Sequence, residues 1–195
     1  MKVHVGCGTV YLQGWLNLDI KGPRTFLART RPDLKARYVT TEGNYYGRHT
    51  DKSLESLRKG PRLDEYVCDA YGDFFNLYAV PGHIDELLAR HTWEHLSIRE
   101  ARIALNNIRD YMVDDGILRL DVPDHEQTLL LYGKTGDPFY IRHLLGPRRD
   151  EYGFHMMSYT PERLQRLVEE HGFTCEGAEE NIHIYPAFCL RFRKI

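Results

Sequence analysis

The chain has no apolar run approaching the length needed to span a bilayer, which argues against a membrane-embedded protein. It has no Cys-x-x-Cys pair. Its four cysteines (Cys7, Cys68, Cys175 and Cys189) stand far apart, and three lie in apolar stretches where a free thiol behaves as a small hydrophobe, so neither a zinc knuckle nor a disulfide framework is expected. The segment after Met1 lacks the apolar core and small-residue cleavage site of a secretory signal, and the expected compartment is a reducing cytoplasm. Internal repeats, low-complexity tracts and recognised RNA-binding modules are also missing, and with a net charge of −2 nucleic acid is the less favoured partner. At 195 residues, 42% hydrophobic and 28% charged, the composition is that of one soluble globular domain covering 1–195.

The small net charge conceals an uneven distribution. Residues 21–62 hold 11 Lys/Arg against 4 Asp/Glu, a balance of +7, which leaves −9 for the remainder. Gly, Pro and Tyr cluster in the same segment, and it reads as an insertion between sheet elements. Such a run is either a solvated surface loop or an electropositive cover for an anionic ligand.

What is present begins at Val3-His4-Val5-Gly6-Cys7-Gly8, an apolar strand running into a paired-glycine turn, followed by Trp15-Leu16-Asn17-Leu18-Asp19-Ile20, a second strand ending in a carboxylate. Open α/β sheets hold nucleosides with this layout, glycines letting the backbone approach the ligand and the acid accepting ribose hydroxyls. Further strands are predicted around 63–70 and 84–89, both ending in polar residues. Ser97-Ile98-Arg99-Glu100 is a capping box, and Ile98, Ala101, Leu105, Ile108 and Met112 follow on one helical face. Asp114-Asp115-Gly116 should stop that helix before a strand from Ile117 to Pro123. Thr160-Pro161 supplies an N-cap and N1 proline, Leu164, Leu167 and Val168 the apolar stripe, and Gly172 the stop. Two strands close the chain with no helix between them, so one of them should be antiparallel in a mostly parallel sheet.

In this order the motifs resemble the class I S-adenosylmethionine-dependent methyltransferases, whose seven-strand sheet ends in an antiparallel hairpin. A compact subgroup is similar in Gly6-Cys7-Gly8, Gly14-Trp15-Leu16-Asn17-Leu18-Asp19-Ile20, His91-Thr92-Trp93-Glu94-His95 and Gly116-Ile117-Leu118-Arg119-Leu120-Asp121-Val122-Pro123-Asp124. The segments Tyr152-Gly153-Phe154-His155 and Tyr159-Thr160-Pro161-Glu162 match it too, so the likeness runs the length of the chain except across 21–62. The resemblance implies a Rossmann-like α/β fold binding S-adenosylmethionine. Gly6 and Gly8 would shape the turn under the methionine portion, with Cys7 contributing backbone. Asp19 would take the ribose, Ile20 would pack on the adenine, Asp69 and Ala70 would address the adenine edge, and His91 would lie near the sulfonium. Two features depart from the pattern: Val10 replaces the usual third glycine, and Gly14 cuts the helix between the first two strands to a turn. Cover for the acceptor would then come from insertions at 21–62 and 126–158.

The resemblance also suggests the chemistry. Methyl transfer to a hydroxyl benefits from a base, and His155, in the lid-like stretch, is the first candidate because an imidazole titrates near neutrality. Asp124 and His125, just beyond the fifth strand, form the second. Tyr45, Tyr46, Tyr132, Tyr140 and Tyr152, with Arg148 and Arg149, suit a sugar-linked or phosphorylated small acceptor, methylated on oxygen. His91-x-x-Glu94-His95 also fits an inverted zinc-peptidase pattern, but that needs both histidines inside one helix, so no metal is expected and Glu94 and His95 are read as holding the turn. A zinc-dependent hydrolase using His91 and His95, and a non-catalytic nucleoside-binding domain of the same fold, are the alternatives. The oligomeric state is left open.

Overall fold

The computed structural model describes residues 1–45, 64–79, 81–146, 152–180 and 185–195. Tyr46, Arg148 and Arg149, and the greater part of the basic segment's second half, lie outside the described residues. Among those described, no helix is long and apolar enough to cross a membrane.

Strand β1 (Lys2–Val5) is the centre of the molecule. Val3, His4 and Val5 are all buried, as expected of a parallel strand covered on both faces. It pairs in parallel with β3 (Leu16–Asp19) on one side and with β8 (Ile84–Arg90) on the other. Beyond β3 lies the two-residue β7 (Ala70–Tyr71), and beyond β8 the long β9 (Met112–Pro123), both parallel to their neighbours. The chain closes with β10 (Phe173–Glu179) and β11 (Ala187–Lys194). The seven-stranded order is β10-β11-β9-β8-β1-β3-β7, and only β11 runs antiparallel to its neighbours, sitting between β10 and β9. The expected α/β architecture with its antiparallel C-terminal strand is therefore present.

Between β1 and β3 there is no helix, as Gly14 foretold. Its φ of +83° turns the chain where an L side chain would be strained, and the two-residue β2 (Tyr11–Leu12) occupies the space instead. The described part of the basic segment is folded. Strand β4 (Thr25–Leu27) pairs with β6 (Tyr66–Cys68), helix α1 (Pro32–Tyr38) follows, and β5 (Val39–Thr40) pairs with β2. Leu34 of α1 packs with Tyr11, Ala28 and Val67 in a small second core. An apolar side of the described part is thus fixed to the sheet's edge, while Lys21, Arg29, Lys35 and Arg37 are exposed.

Helix α2 (Ile98–Tyr111) starts at the predicted capping box: the Glu100 amide donates to Ser97 Oγ and the Glu100 carboxylate accepts from the Ser97 amide. Ala101, Ala104, Leu105 and Ile108 are buried against the sheet, whereas Ile98 at its first position is exposed. The following strand begins at Met112 rather than Ile117. Asp114-Asp115-Gly116 forms an irregularity inside β9, with Asp115 at φ +61° and the β8–β9 register shifting between Ile84 and Glu86.

The segment 126–158, read as an insertion, contains two helices without a clean apolar stripe: α3 (His125–Thr135) and α4 (Pro138–Leu145). Their punctuation is ordinary. Asp124 caps α3, Gly136 at φ +66° ends it, and Asp137-Pro138 starts α4. Helix α5 (Pro161–Glu169) is capped by Thr160, and its Leu164, Leu167 and Val168 join the main core as predicted.

Candidate active site

Strands β3 and β8 leave β1 in opposite directions across the sheet, and ligands of open α/β sheets bind in the crevice at that point. A cleft of about 720 Å³ lies there, in the size range of small-molecule sites. Its walls include Val5 and Gly6 at the end of β1, Asp19 and Ile20 at the end of β3, and His91 and Thr92 just past β8.

Gly6 is required twice over. Its φ is +70°, and a Cβ there would come within 2.2 Å of Thr92 Oγ1, so any larger residue would push into the neighbouring loop. Gly6 and Cys7 amides both donate to the Leu18 carbonyl, at 2.9 and 3.1 Å, tying the turn to β3. Gly8, at φ +53°, donates its amide to Asp19 Oδ2 at 2.7 Å, and Ile20 donates to Asp19 Oδ1 at 2.8 Å. The Asp19 carboxylate, 9% exposed, is held at the cleft wall by two backbone amides.

Two expected cofactor residues, Asp69 and Ala70, lie off the cleft wall, while Cys7, expected to contribute backbone alone, keeps its place in the turn. The Cys7 side chain turns into the core, its sulfur 3.3 Å from the Val67 carbonyl, and burial together with the nearby Asp19 charge pushes its thiol well up. The Asp69 carboxylate accepts from the Tyr11 hydroxyl, the Asn17 amide at 2.9 Å and Asn17 Nδ2 at 3.3 Å. It therefore fastens β2 to β3, and neither it nor Ala70, which is paired with Leu18, lines the cleft. That wall comes from Gly72, Asp73, Phe74 and Phe75, one turn later. Gly72 is packed so closely that a Cβ would meet the Asn76 carbonyl at 2.4 Å, and Asp73 Oδ1 accepts from the Phe75 and Asn76 amides at 2.8 and 3.0 Å. The signal was Gly72-Asp73, a turn dipeptide directly after a strand. Arg24, from the basic segment, also reaches the cleft.

The far side of the cleft carries His91, His95, Leu96 and Tyr152. His91 takes the left-handed φ of +52°, and its ring lies between two acids: Nδ1 is 3.6 Å from Glu94 Oε1 and Nε2 is 3.7 Å from Asp121 Oδ1. Burial alone would lower its pKa, but those carboxylates outweigh burial and raise it. Trp93–His95 forms one 3₁₀ turn, in which Trp93 is buried edge-to-face on Phe74 at 5.0 Å. His91 precedes the turn, so the two histidines of the peptidase-like pattern do not share a helix.

Behind this wall is a cluster that sequence reading only half assembled. Glu94 is 1% exposed. Its backbone carbonyl accepts from the Met156 and Met157 amides at 2.8 and 3.2 Å, and the His155 amide donates to the Leu145 carbonyl at 3.2 Å. The close approach depends on Gly146, where a Cβ would lie 2.9 Å from His155 Cδ2. His155 Nε2 thereby comes to 3.7 Å from Glu94 Oε1. The His155 ring lies 5.0 Å from that of His95 and 6.3 Å from those of His125 and His143. Burial lowers His155 to about 4 and His143 to about 3, and lowers His125. Burial would raise Glu94, yet His91 and the other imidazoles hold it at about 2. His125 and His155 are thus brought together, whereas Asp124 spends its carboxylate on the Gln127 amide at 3.0 Å as the cap of α3. His143 was missed because nothing local to α4 marks it.

No protein-family profile and no curated protein matches this chain. Solved structures do. Magnesium protoporphyrin IX methyltransferase from Synechocystis superposes with a TM-score of 0.51 at 13% identity, over 100% of this chain and 74% of that one. The mitomycin 7-O-methyltransferase gives 0.56 at 16% identity, over 100% of this chain and 48% of the other. The 1,6-didemethyltoxoflavin-N1-methyltransferase of Burkholderia thailandensis gives 0.56 at 12% identity, over 99% and 70%. This chain spans about half the length of the mitomycin 7-O-methyltransferase and about seven-tenths of the other two. With its strand order, its single antiparallel strand and its cleft at the end of β1, the chain has the fold of the class I S-adenosylmethionine-dependent methyltransferases.

Proposed function

We propose that this protein is an S-adenosylmethionine-dependent methyltransferase acting on a small, anionic acceptor, with oxygen the favoured methyl-accepting atom. The observation that carries the reading is the Asp19 carboxylate, gripped by the Gly8 and Ile20 amides at the mouth of the cleft beside the Cβ-free floor at Gly6. A carboxylate so placed accepts paired ribose hydroxyls, and the glycine floor admits the amino-acid part of the cofactor. Ile20 and Phe75 supply apolar surface for the adenine, and the Gly72–Phe75 turn takes the place first given to Asp69 and Ala70.

S-adenosylmethionine, when bound, supplies an electrophilic methyl group together with its own leaving group. The chain's residues then have to position the acceptor and receive its proton. His91, His95 and Tyr152 line the side of the cleft available to an acceptor, with the His125 and His155 cluster behind them. Arg24 brings one charge of the basic segment to the same cleft, which supports an anionic acceptor such as a phosphorylated or nucleotide-linked sugar.

Calorimetric titration with S-adenosylmethionine, S-adenosylhomocysteine and NAD in parallel tests the reading. Binding of the two methionine-derived ligands without NAD is expected. Binding of NAD alone, or of none of the three, would refute it and return the fold to a non-catalytic or unrelated role.

A further inference from the structure

Among the described residues, one group of side chains offers ligand atoms that all lie within 4.8 Å of one another: Glu94, His95 and His155. Four features of this group go beyond proximity. Neither carboxylate oxygen of the buried Glu94 has a hydrogen-bond partner, His91 Nδ1 and His155 Nε2 approaching Oε1 only to 3.6 and 3.7 Å. The surrounding imidazoles keep this carboxylate charged, yet its buried lone pairs lack a donor at hydrogen-bond distance. His95 Nδ1 bonds the Phe154 carbonyl at 2.8 Å, which leaves Nε2 as the free, oriented nitrogen, the arrangement by which metal-ligating histidines are usually held. The 3.7 Å between His155 Nε2 and Glu94 Oε1 is close to the roughly 3.4 Å between neighbouring ligands of a tetrahedral ion with bonds near 2.1 Å. Finally, His95 also lines the cleft, so an ion held here would have one side open to a bound acceptor.

We infer that Glu94, His95 and His155 form a binding site for one divalent first-row transition-metal ion, zinc being the simplest occupant of a set of two imidazoles and a carboxylate. The open side gives the ion a function. An acceptor hydroxyl bound to it would be acidified and oriented and would release its proton to solvent, so that His155 serves as a ligand rather than as the proton acceptor first suggested for it. The site differs from the peptidase-like reading in both composition and geometry. His91 is not a ligand, Glu94 is one, and the third comes from a segment 60 residues downstream, a separation that no short motif records.

The test uses untagged protein stripped with a chelator and titrated calorimetrically with Zn²⁺, with no cofactor present, so its outcome is independent of the methyl-transfer reading. One Zn²⁺ per chain is expected. His95→Ala should weaken binding by at least the 10- to 100-fold that loss of a mere supporting hydrogen bond costs at metal sites. Glu94→Gln should do the same. Because a buried substitution can unfold the chain, His95→Ala, at a partly exposed position, is the decisive variant, and circular dichroism checks its fold. Co²⁺ substitution should give visible d–d bands that His155→Ala removes. Absence of Zn²⁺ binding by the stripped, folded wild type, or unchanged affinity in folded His95→Ala, would overturn the site.

Discussion

Replacing Asp19 by alanine separates the cofactor site from the scaffold around it. Two consequences follow from its contacts. The Gly8 and Ile20 amides, 2.7 and 2.8 Å from its oxygens, lose their acceptor, and amides left unsatisfied cost roughly 1–3 kcal/mol of stability. The cofactor loses charge-assisted hydrogen bonds worth roughly 1.5–3 kcal/mol, which corresponds to about a 10- to 150-fold rise in Kd. Calorimetry with S-adenosylhomocysteine reads the second effect, and a thermal melt reads the first. Asp69→Asn is the companion variant. Its carboxylate braces Tyr11 and Asn17 without lining the cleft, so it should lower Tm while moving Kd far less than Asp19→Ala does. Kd within about twofold of wild type in folded Asp19→Ala would refute the ribose assignment, since one lost charge-assisted bond exceeds that limit. A larger Kd effect from Asp69→Asn than from Asp19→Ala would refute the displacement of the adenine wall to Gly72–Phe75.

Gly6→Ala forces an L residue into φ +70° and a Cβ to 2.2 Å from Thr92 Oγ1, and should cost roughly 2–5 kcal/mol; Thr92→Ala in the same chain should recover part of that, and an unchanged Tm in Gly6→Ala alone would count against this geometry. His4 is buried between Asn17 Oδ1 at 3.2 Å and the Tyr45 hydroxyl at 3.0 Å, with Arg90 over the Tyr45 ring and itself paired with Asp121, and burial lowers its pKa from 6.5 to about 4. The unfolded chain therefore takes up this proton first as pH falls, so stability present above pH 6.5 declines toward pH 4, by about 3 kcal/mol from this group. Urea titrations across that window should show a smaller decline in His4→Gln, and parallel declines would dismiss the assignment. Turnover of an anionic acceptor should weaken as salt rises and the Debye length shrinks below ~10 Å, with much of that sensitivity lost in Arg24→Ala; a neutral acceptor turned over well and without salt dependence would return the basic segment to a surface role.

Features legible in the residues alone were those enforced within a few positions of chain. The capping box at Ser97, the N-cap at Thr160, the stop at Gly14 and the paired glycines each express a backbone requirement that neighbours along the chain impose, and all four appear as read. Asp19 belongs with them, because the strand that carries it and the turn that grips it are only 11 residues apart. What stayed hidden depends on which distant segments meet. Asp69 resembles a cleft acid until β2 and β3 bring Tyr11 and Asn17 to its carboxylate. The basic segment resembles an exposed loop until β4 and β5 find partners in β6 and β2. The helices α3 and α4 have weak apolar periodicity, so the stretch that holds them resembles an insertion until the structure shows their caps at Asp124 and Asp137. Glu94, His95 and His155 meet because Gly146 lets the 153–155 backbone approach and because the Met156 and Met157 amides fasten to the Glu94 carbonyl. Hydrogen bonds across some 60 residues leave no local period or spacing in the chain, so a buried cluster built from them becomes visible only when the fold closes around it.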